Sequence, residues 1–264
     1  MEKQQKPLIL VSNDDGYFAP GLKVLIDIVK PYGDVLVVSP EQGVSGMSHA
    51  ITIKTPLRAT KISQEDNVTI YKVNGTPVDC VKLALNQLAD RKPDIIVSGV
   101  NHGSNSSISV IYSGTMGAAI EGCLNGIPSL GFSITTHSMN ADFSVVAKYG
   151  AEIFDTVFND RRKNNICLNI NFPVVDENEF KGIKVCRQAR GVWREEFEKR
   201  VDPHGGEYYW LTGSFKNSEP DATDTDEWAL ANNYASIVPV KVDFTDFDSL
   251  TEIENLNKIL QKTN

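Results

Sequence analysis

The chain has 264 residues, 41% hydrophobic and 23% charged, proportions that suit a globular protein with ample material for a core. Its formal net charge of −8 excludes the broad basic face that binding a nucleic-acid polymer needs. Any phosphate it binds must be met by local positive potential, from a cation or from backbone N–H groups.

In chain order, the first expected strand, Leu8–Val11, stops at two adjacent carboxylates, Asp14 and Asp15, followed by Gly16. Asn, Asp and Gly are turn residues, yet the C-terminal edge of a parallel sheet is also where ligands bind, and two acids there suit a divalent cation. Pro20 opens a helix near 20–30 that Pro31 and Gly33 stop. The strand Val35–Val38 runs into a polar, Gly- and Ser-rich loop, residues 39–50. A β-hairpin then interrupts the alternation, from Ile51–Ile62 and Val68–Val73 with a turn at Ser63–Asn67. Thr76 as N-cap, Pro77 at the first helical position and Asp79 three residues after the cap predict a helix over 77–90. The strand Ile95–Ser98 leads into SGVNHGSN, residues 98–105, and residues 112–122 read as the mouth of a Gly- and Ala-rich helix over 115–125. A strand Ser129–Ser133, a helix over 141–157 and a strand Cys167–Asn171 complete the alternation. The pattern is that of an α/β, three-layer, Rossmann-like fold with a mostly parallel sheet, covered on both faces and carrying the inserted hairpin.

Past residue 176 the periodicity fades, so residues 1–175 read as the catalytic core and 176–264 as a C-terminal region. Arginines alternate with acids and aromatics, and Tyr208, Tyr209 and Trp210 suit an exposed strand that something covers. The segment from about Arg194 to Trp228 has no helix pattern and reads as an extended hairpin arm. A returning strand spans residues 235–240, and a closing helix over 249–262 has Ser249 and Glu252 as a capping box and an apolar stripe of Leu250, Ile253, Leu256 and Leu260. The apolar run near the N-terminus is too short for a signal peptide or a membrane span, and no later run is long enough to cross a bilayer. The four cysteines are scattered with no Cys-x-x-Cys pair, which disfavours a zinc site and suits reduced thiols in the cytoplasm.

The motifs Asn13-Asp14-Asp15-Gly16, Ser45, Gly75-Thr76-Pro77-Val78-Asp79-Cys80, Ser98-Gly99-Val100-Asn101 and Tyr112-Ser113-Gly114-Thr115 have a specific order and spacing. In these the chain resembles the SurE family of stationary-phase survival proteins, metal-dependent nucleoside monophosphate phosphatases. The likeness covers the N-terminal half and continues more weakly through Asn169–Pro173, Asp224-Thr225-Asp226 and Tyr234–Pro239. It implies that Asp14, Asp15, Ser45 and Asn101 hold a divalent cation. Their donors are all oxygen, which suits Mg²⁺, Mn²⁺ or Ca²⁺. Backbone N–H groups of Ser113, Gly114 and Thr115 at a helix N-terminus suit phosphate oxygens. Asn13 and Asn105 are further candidates for touching phosphate or substrate, and His49 and His102 are the nearest histidines for proton transfer. One departure stands out: Ser109 occupies a place where the family usually has an acid.

The resemblance further implies nucleoside monophosphates as substrates and a homodimer or homotetramer formed through an exchanged C-terminal arm; the short apolar runs give the expectation of no membrane partner. Two other readings use the same residues. One is an aspartyl-phosphate mechanism with Asp14 as nucleophile, although Gly16 stands where that chemistry wants a second acid. The other is a non-catalytic nucleotide-binding module on the same sheet edge.

Overall fold

In the computed structural model, which describes residues 6–160, 166–194, 196–250 and 253, strands and helices alternate through the first two-thirds of the chain. The elements are β1 (Leu8–Ser12), α1 (Pro20–Val29), β2 (Asp34–Pro40), β3 (Ala59–Glu65), β4 (Val68–Val73), α2 (Pro77–Leu83), β5 (Ile95–His102), α3 (Gly114–Leu124), β6 (Ser129–Ile134), α4 (Ser144–Asn159) and β7 (Cys167–Phe172). After these come β8 (Ile183–Val185), β9 (Gly191–Arg194), β10 (Phe197–Val201), β11 (Glu207–Leu211), β12 (Ser214–Asn217), α5 (Asp226–Ala231) and β13 (Ala235–Pro239).

Nine strands form one sheet in the order β3-β4-β2-β1-β5-β6-β7-β13-β8. The run from β4 to β7 is parallel, β3 and β13 pair antiparallel at either side of it, and β8 lies parallel to β13. The chain winds outward from β1 to β2 and then returns to β5 on the other side. The switch point therefore lies between the C-terminal ends of β1 and β5, where an open α/β sheet offers its crevice.

Strands β1 and β5 are buried along their whole length because helices cover both faces. Alternate residues go to opposite layers. Ile9 and Val11 join Leu22, Leu25, Val146 and Phe154 under α1 and α4, whereas Leu8 and Leu10 join Cys80, Val81 and Ala118 under α2 and α3. Each fully buried Leu, Ile, Val or Phe among them contributes about 1.5–3 kcal/mol. The helices are closely fitted to the sheet. A Cβ on Gly21 would sit 2.0 Å from the Val100 carbonyl oxygen, so α1 meets β5 where only glycine has room.

The expected helix starts are present. Thr76 and Asp79 form the capping box of α2, which continues as a π-helical turn over Ala84–Leu88. Three expectations need correction. The hairpin begins at Ala59, not Ile51, and it extends the main sheet, since β4 pairs in parallel with β2. Residues 51–58 form no strand because Pro56 lacks an N–H and the Thr52 N–H goes to the Asp79 carboxylate at 2.9 Å. The turn is also tighter, with Asp66 at φ 50°.

The second correction concerns residues 194–228, whose last part is helical. Thr225 caps α5 by accepting from the Trp228 N–H at 3.2 Å, and Asp226 and Glu227 place acids in its first turn. At six residues the helix is too short for periodicity to reveal. Third, residues 247–250 are helical with Asp246 as the capping acid, accepting from the Asp248 and Ser249 N–H groups at 3.1 and 3.2 Å. Ser249 thus lies inside the first turn, and Glu252, Leu256 and Leu260 lie outside the described residues. Among the described residues, no helix is long and apolar enough to cross a membrane.

Candidate active site

The four polar segments of the sequence meet at the C-terminal ends of β1, β2 and β5. Asp14 is 3% exposed, and its Oδ1 accepts from the Thr115 hydroxyl at 2.5 Å. A Cβ on Gly114 would lie 2.9 Å from the Asp14 Cβ and 3.0 Å from its Oδ2. The start of α3 therefore rests directly on the Asp14 side chain, and glycine is what allows the approach. The neighbouring carboxylate is held from β5: Asp15 Oδ2 accepts from the His102 backbone N–H at 3.1 Å and from its ring Nδ1 at 2.9 Å.

The loop after β2 is tied to the same place. The Val44 N–H donates to the Asp14 carbonyl at 2.8 Å, and the Ser48 N–H donates to the Tyr112 carbonyl at 3.1 Å. Ser45 follows Val44 and is exposed. Asn13 is turned inward: its amide donates to the Gly16 carbonyl at 2.8 Å and its Oδ1 accepts from the Ser39 hydroxyl at 2.5 Å. It braces the turn that presents Asp14 and Asp15.

On β5 the ladder with β6 shifts register between Ser98 and Asn101, a bulge that re-aims the residues after it. Gly99, at φ 121°, sits where a Cβ would be 2.2 Å from the Phe132 carbonyl oxygen. Beyond the bulge, the Asn101 amide nitrogen donates to the Gly103 carbonyl at 2.7 Å, which leaves its amide oxygen for other partners. Ser113 caps α3, its hydroxyl accepting from the Met116 N–H at 3.0 Å. The first N–H groups of a helix have no partner within it; here the Thr115 N–H turns to the Asp14 carboxylate, and the Gly114 N–H stands beside it at this end.

The histidines serve other ends. His49 Nε2 lies 3.1 Å from Glu121 Oε2, and Lys82 meets the other Glu121 oxygen at 2.8 Å, so His49 faces the flank of α3. His102 is engaged with Asp15, and its ring packs edge-on against Phe143.

Asn105 belongs to a buried polar layer that sequence reading did not assemble. Its N–H donates to Asn171 Oδ1 at 2.8 Å and its amide to the Ser133 hydroxyl at 2.8 Å, while Asn169 donates to its carbonyl at 2.7 Å. The C-terminal region completes this support. Asp226, fully buried, accepts from the N–H groups of Ser107 at 2.8 Å, Ala189 at 2.9 Å and Glu227 at 2.8 Å. The Ser106 hydroxyl donates to Glu227 at 2.5 Å. The signal available in the sequence is the polar residue at alternate positions of otherwise apolar strands, Ser129 and Ser133 on one and Asn169 and Asn171 on the next.

Electrostatics set Asp14 apart. Burial pushes its pKa up to about 6; the Thr115 hydrogen bond opposes the rise and the Asp15 charge adds to it. Among the described residues, no lysine or arginine pairs with either carboxylate, and no group of three or more His, Cys, Asp and Glu side chains is placed to hold a metal. The donors on the segments that meet here are oxygens: the two carboxylates, the Asn101 amide oxygen and, on the loop tied to Asp14, the exposed Ser45 hydroxyl. Hard oxygen donors of this kind suit a cation such as Mg²⁺ or Mn²⁺, which would relieve the charge on Asp14 and Asp15.

A cleft of about 200 Å³ borders the site, lined by Pro40, Gln42, Val44, Met47, Asn74 and Thr76. A larger cavity of about 370 Å³ lies at the opposite edge of the sheet, beside Leu8 and Asp34. Its Arg91 is already paired with Asp34 at 2.9 Å, and it holds none of the convergent groups. Chemistry, not size, selects the first edge.

Comparison with known proteins gives one consistent result. The family model described as Survival protein SurE matches residues 9–195. The chain is similar to the 5′-nucleotidase SurE of Flavobacterium psychrophilum, with 52% identity over 96% of this chain and 99% of that protein. It is similar to the 5′-nucleotidase SurE of Flavobacterium johnsoniae, with 50% identity over 95% of this chain and 97% of that one. Among solved structures, the crystal structure of the SurE protein from Aquifex aeolicus matches with a TM-score of 0.82 and 37% identity, covering 95% of this chain and all of that one.

Proposed function

The chain belongs to the SurE family and is a 5′-nucleotidase; from that premise we propose that it hydrolyses nucleoside 5′-monophosphates to nucleoside and phosphate with the help of a divalent cation. The observation that carries this reading is the contact between Asp14, just past the end of β1, and the start of α3. Asp14 and Asp15 offer negative charge beside the positive end of a helix dipole, with Gly114 in contact with Asp14. Asp14, Asp15, the Asn101 amide oxygen and the Ser45 hydroxyl hold the cation. When bound, it supplies Lewis-acid chemistry, activating water and neutralising charge that builds on the phosphoryl group.

The remaining work falls to the chain itself. The Gly114 N–H binds a phosphoryl oxygen, and the helix dipole strengthens that bond. The Thr115 hydroxyl orients Asp14, and Asn13 holds the turn beneath it. The cleft beside Val44 and Thr76 gives the nucleoside room next to the reacting phosphate.

The test is phosphate release from 5′-AMP with Mn²⁺, with EDTA, and in ¹⁸O-labelled water under single-turnover conditions. Turnover that EDTA abolishes, with label entering phosphate directly, supports the reading. Label found first in the Asp14 carboxylate transfers the assignment to the aspartyl-phosphate mechanism, and binding without turnover transfers it to the nucleotide-binding module.

We also infer that the protein assembles through its arm, in the reducing cytoplasm that its scattered thiols suit. Among the described residues, strands β10 and β11 pair only with each other, as do β9 and β12, and neither pair joins the main sheet. Phe197, Tyr209, Trp210 and Leu211 are all exposed on this arm. Pairing with the arm of a second copy covers them and gives a two-fold dimer.

A further inference from the structure

We propose that His102 is a positioning residue that latches Asp15 for the cation, so that the side chain at position 102 sets how tightly this chain holds metal. The proposal rests on the cation reading given above and goes beyond it. Sequence reading treated His102 as a candidate for moving protons. The geometry points elsewhere.

Two donors of one residue, the backbone N–H at 3.1 Å and ring Nδ1 at 2.9 Å, converge on a single oxygen, Asp15 Oδ2. An ionised carboxylate only accepts, so the ring presents Nδ1–H to it. With Oδ2 taken twice, Asp15 has its other oxygen, Oδ1, to give to a cation, and its side chain is fixed in one orientation. Ordering a ligand before the metal arrives removes an entropy cost from binding. Hydrogen bonds of this kind to metal-ligating carboxylates commonly change metal affinity about 10- to 100-fold.

The rest of the ring's surroundings show what it is not there for. The His102 side chain is 4% exposed, and its Nε2 is buried with no hydrogen-bond partner. A polar atom left bare in this way costs stability, and its other ring contact is the edge-on packing against Phe143, which an apolar residue supplies without that cost. What the imidazole adds over leucine is the Nδ1–H on Asp15. His102 lies just beyond the β5 bulge, where the register with β6 has shifted between Ser98 and Asn101.

The experiment measures Mn²⁺ binding to the full-length protein by electron paramagnetic resonance titration, for the wild type and for His102→Leu, His102→Asn and His102→Gln, with Asp14→Asn alongside. Thermal melts in EDTA confirm that each variant folds. The amide nitrogen of Asn reaches the position of Nδ1, whereas that of Gln reaches the position of Nε2. The expected result is a loss of about 10- to 100-fold in Mn²⁺ affinity for Leu and Gln, with Asn within about threefold of wild type. Wild-type affinity in His102→Leu overturns the proposal, and so does an Asn variant as weak as Leu, which would assign the effect to packing. If Leu fails to fold, Asn against Gln decides by the same criterion. Asp14→Asn separates the two levels of inference. If it binds Mn²⁺ as wild type does, the cation reading itself falls; if it loses Mn²⁺ while His102→Leu does not, only the role of His102 falls.

Discussion

The β1–β5 edge and the β10–β11 hairpin are both built from short strands, yet they end in opposite states. Every residue of β1 and β5 is buried, and the residues just past their ends are held by side chains from distant segments, among them Ser39, Thr115, Ser133, Asn171 and Asp226. Every residue of β10 and β11 is exposed, including Tyr208, Tyr209 and Trp210 in a row. The first region is complete within one chain, and its polar groups are oriented before any ligand arrives. The second spends its backbone hydrogen bonds on itself and leaves its aromatic surface exposed. Preorganised chemistry needs the first condition, and an interface between copies needs the second.

If the edge is the reacting site, its carboxylates carry the largest effect. Asp14→Asn and Asp15→Asn are each expected to lower kcat at saturating Mn²⁺ by about a hundredfold to a thousandfold while the protein stays folded. Steady-state assays with circular dichroism as the folding control check this, and near-normal turnover in both variants removes the edge from the chemistry.

The contrast sharpens at Asp226, which belongs to the C-terminal region in sequence but to the site in space. Asp226→Ala strips the N–H groups of Ser107, Ala189 and Glu227 of their buried acceptor. A loss of about 2–3 kcal/mol is expected in urea denaturation, since unsatisfied buried donors cost about 1–3 kcal/mol. An unchanged midpoint would show that the layer beneath the site does not depend on the C-terminal region.

The raised pKa of Asp14 gives a pH test. Its folded-state value, about 6, lies above the ordinary aspartate value of 3.8, so the folded, metal-free protein binds the extra proton between about pH 4 and 6. Stability of the metal-free protein is then fullest below that window, falls as pH rises through it and levels off above. Added Mn²⁺ reverses the sign, because cation and proton compete for the same carboxylate and apparent metal affinity rises up to about pH 6. Melting in EDTA and in Mn²⁺ across pH 4–8 separates the two curves; parallel curves would mean that Asp14 does not bind the cation.

The smallest effect is expected on the arm. Tyr209→Ser with Trp210→Ser should move the folding stability of a single chain by no more than about 0.5 kcal/mol, since both side chains are exposed. Static light scattering should nevertheless show a mass falling toward the 29.1 kDa of one chain. A wild-type protein that already runs at the monomer mass would refute assembly through the arm.

Much of the fold was legible in the residues because the signals are local. Leu8–Val11, Val35–Val38 and the Thr76-Pro77-Asp79 start of α2 each announce themselves within a few positions, and each element is present. The hairpin was misplaced where a local signal is ambiguous. Ile51 and Ile53 look like strand residues, but Pro56 and the capture of the Thr52 N–H by Asp79 keep that segment off the ladder. The six-residue α5 escaped because a helix so short is stabilised by its cap and its tertiary contacts, not by a periodic face.

By itself the sequence determined which oxygen donors stand at strand ends, since apolar runs ending in Asp14-Asp15 or Asn101 put them there in any parallel sheet. It also determined the two-sided burial of the strands, because runs without polar alternation have no face to give to water. Only the tertiary structure decided which partner each donor meets. Thr115 on Asp14, His102 on Asp15 and Asp226 under the loop after β5 join residues 101, 87 and 119 positions apart. Hydrogen bonds are short and directional, and pairs so distant in the chain are brought within reach by the winding of the sheet and the β5 bulge, which no local pattern encodes.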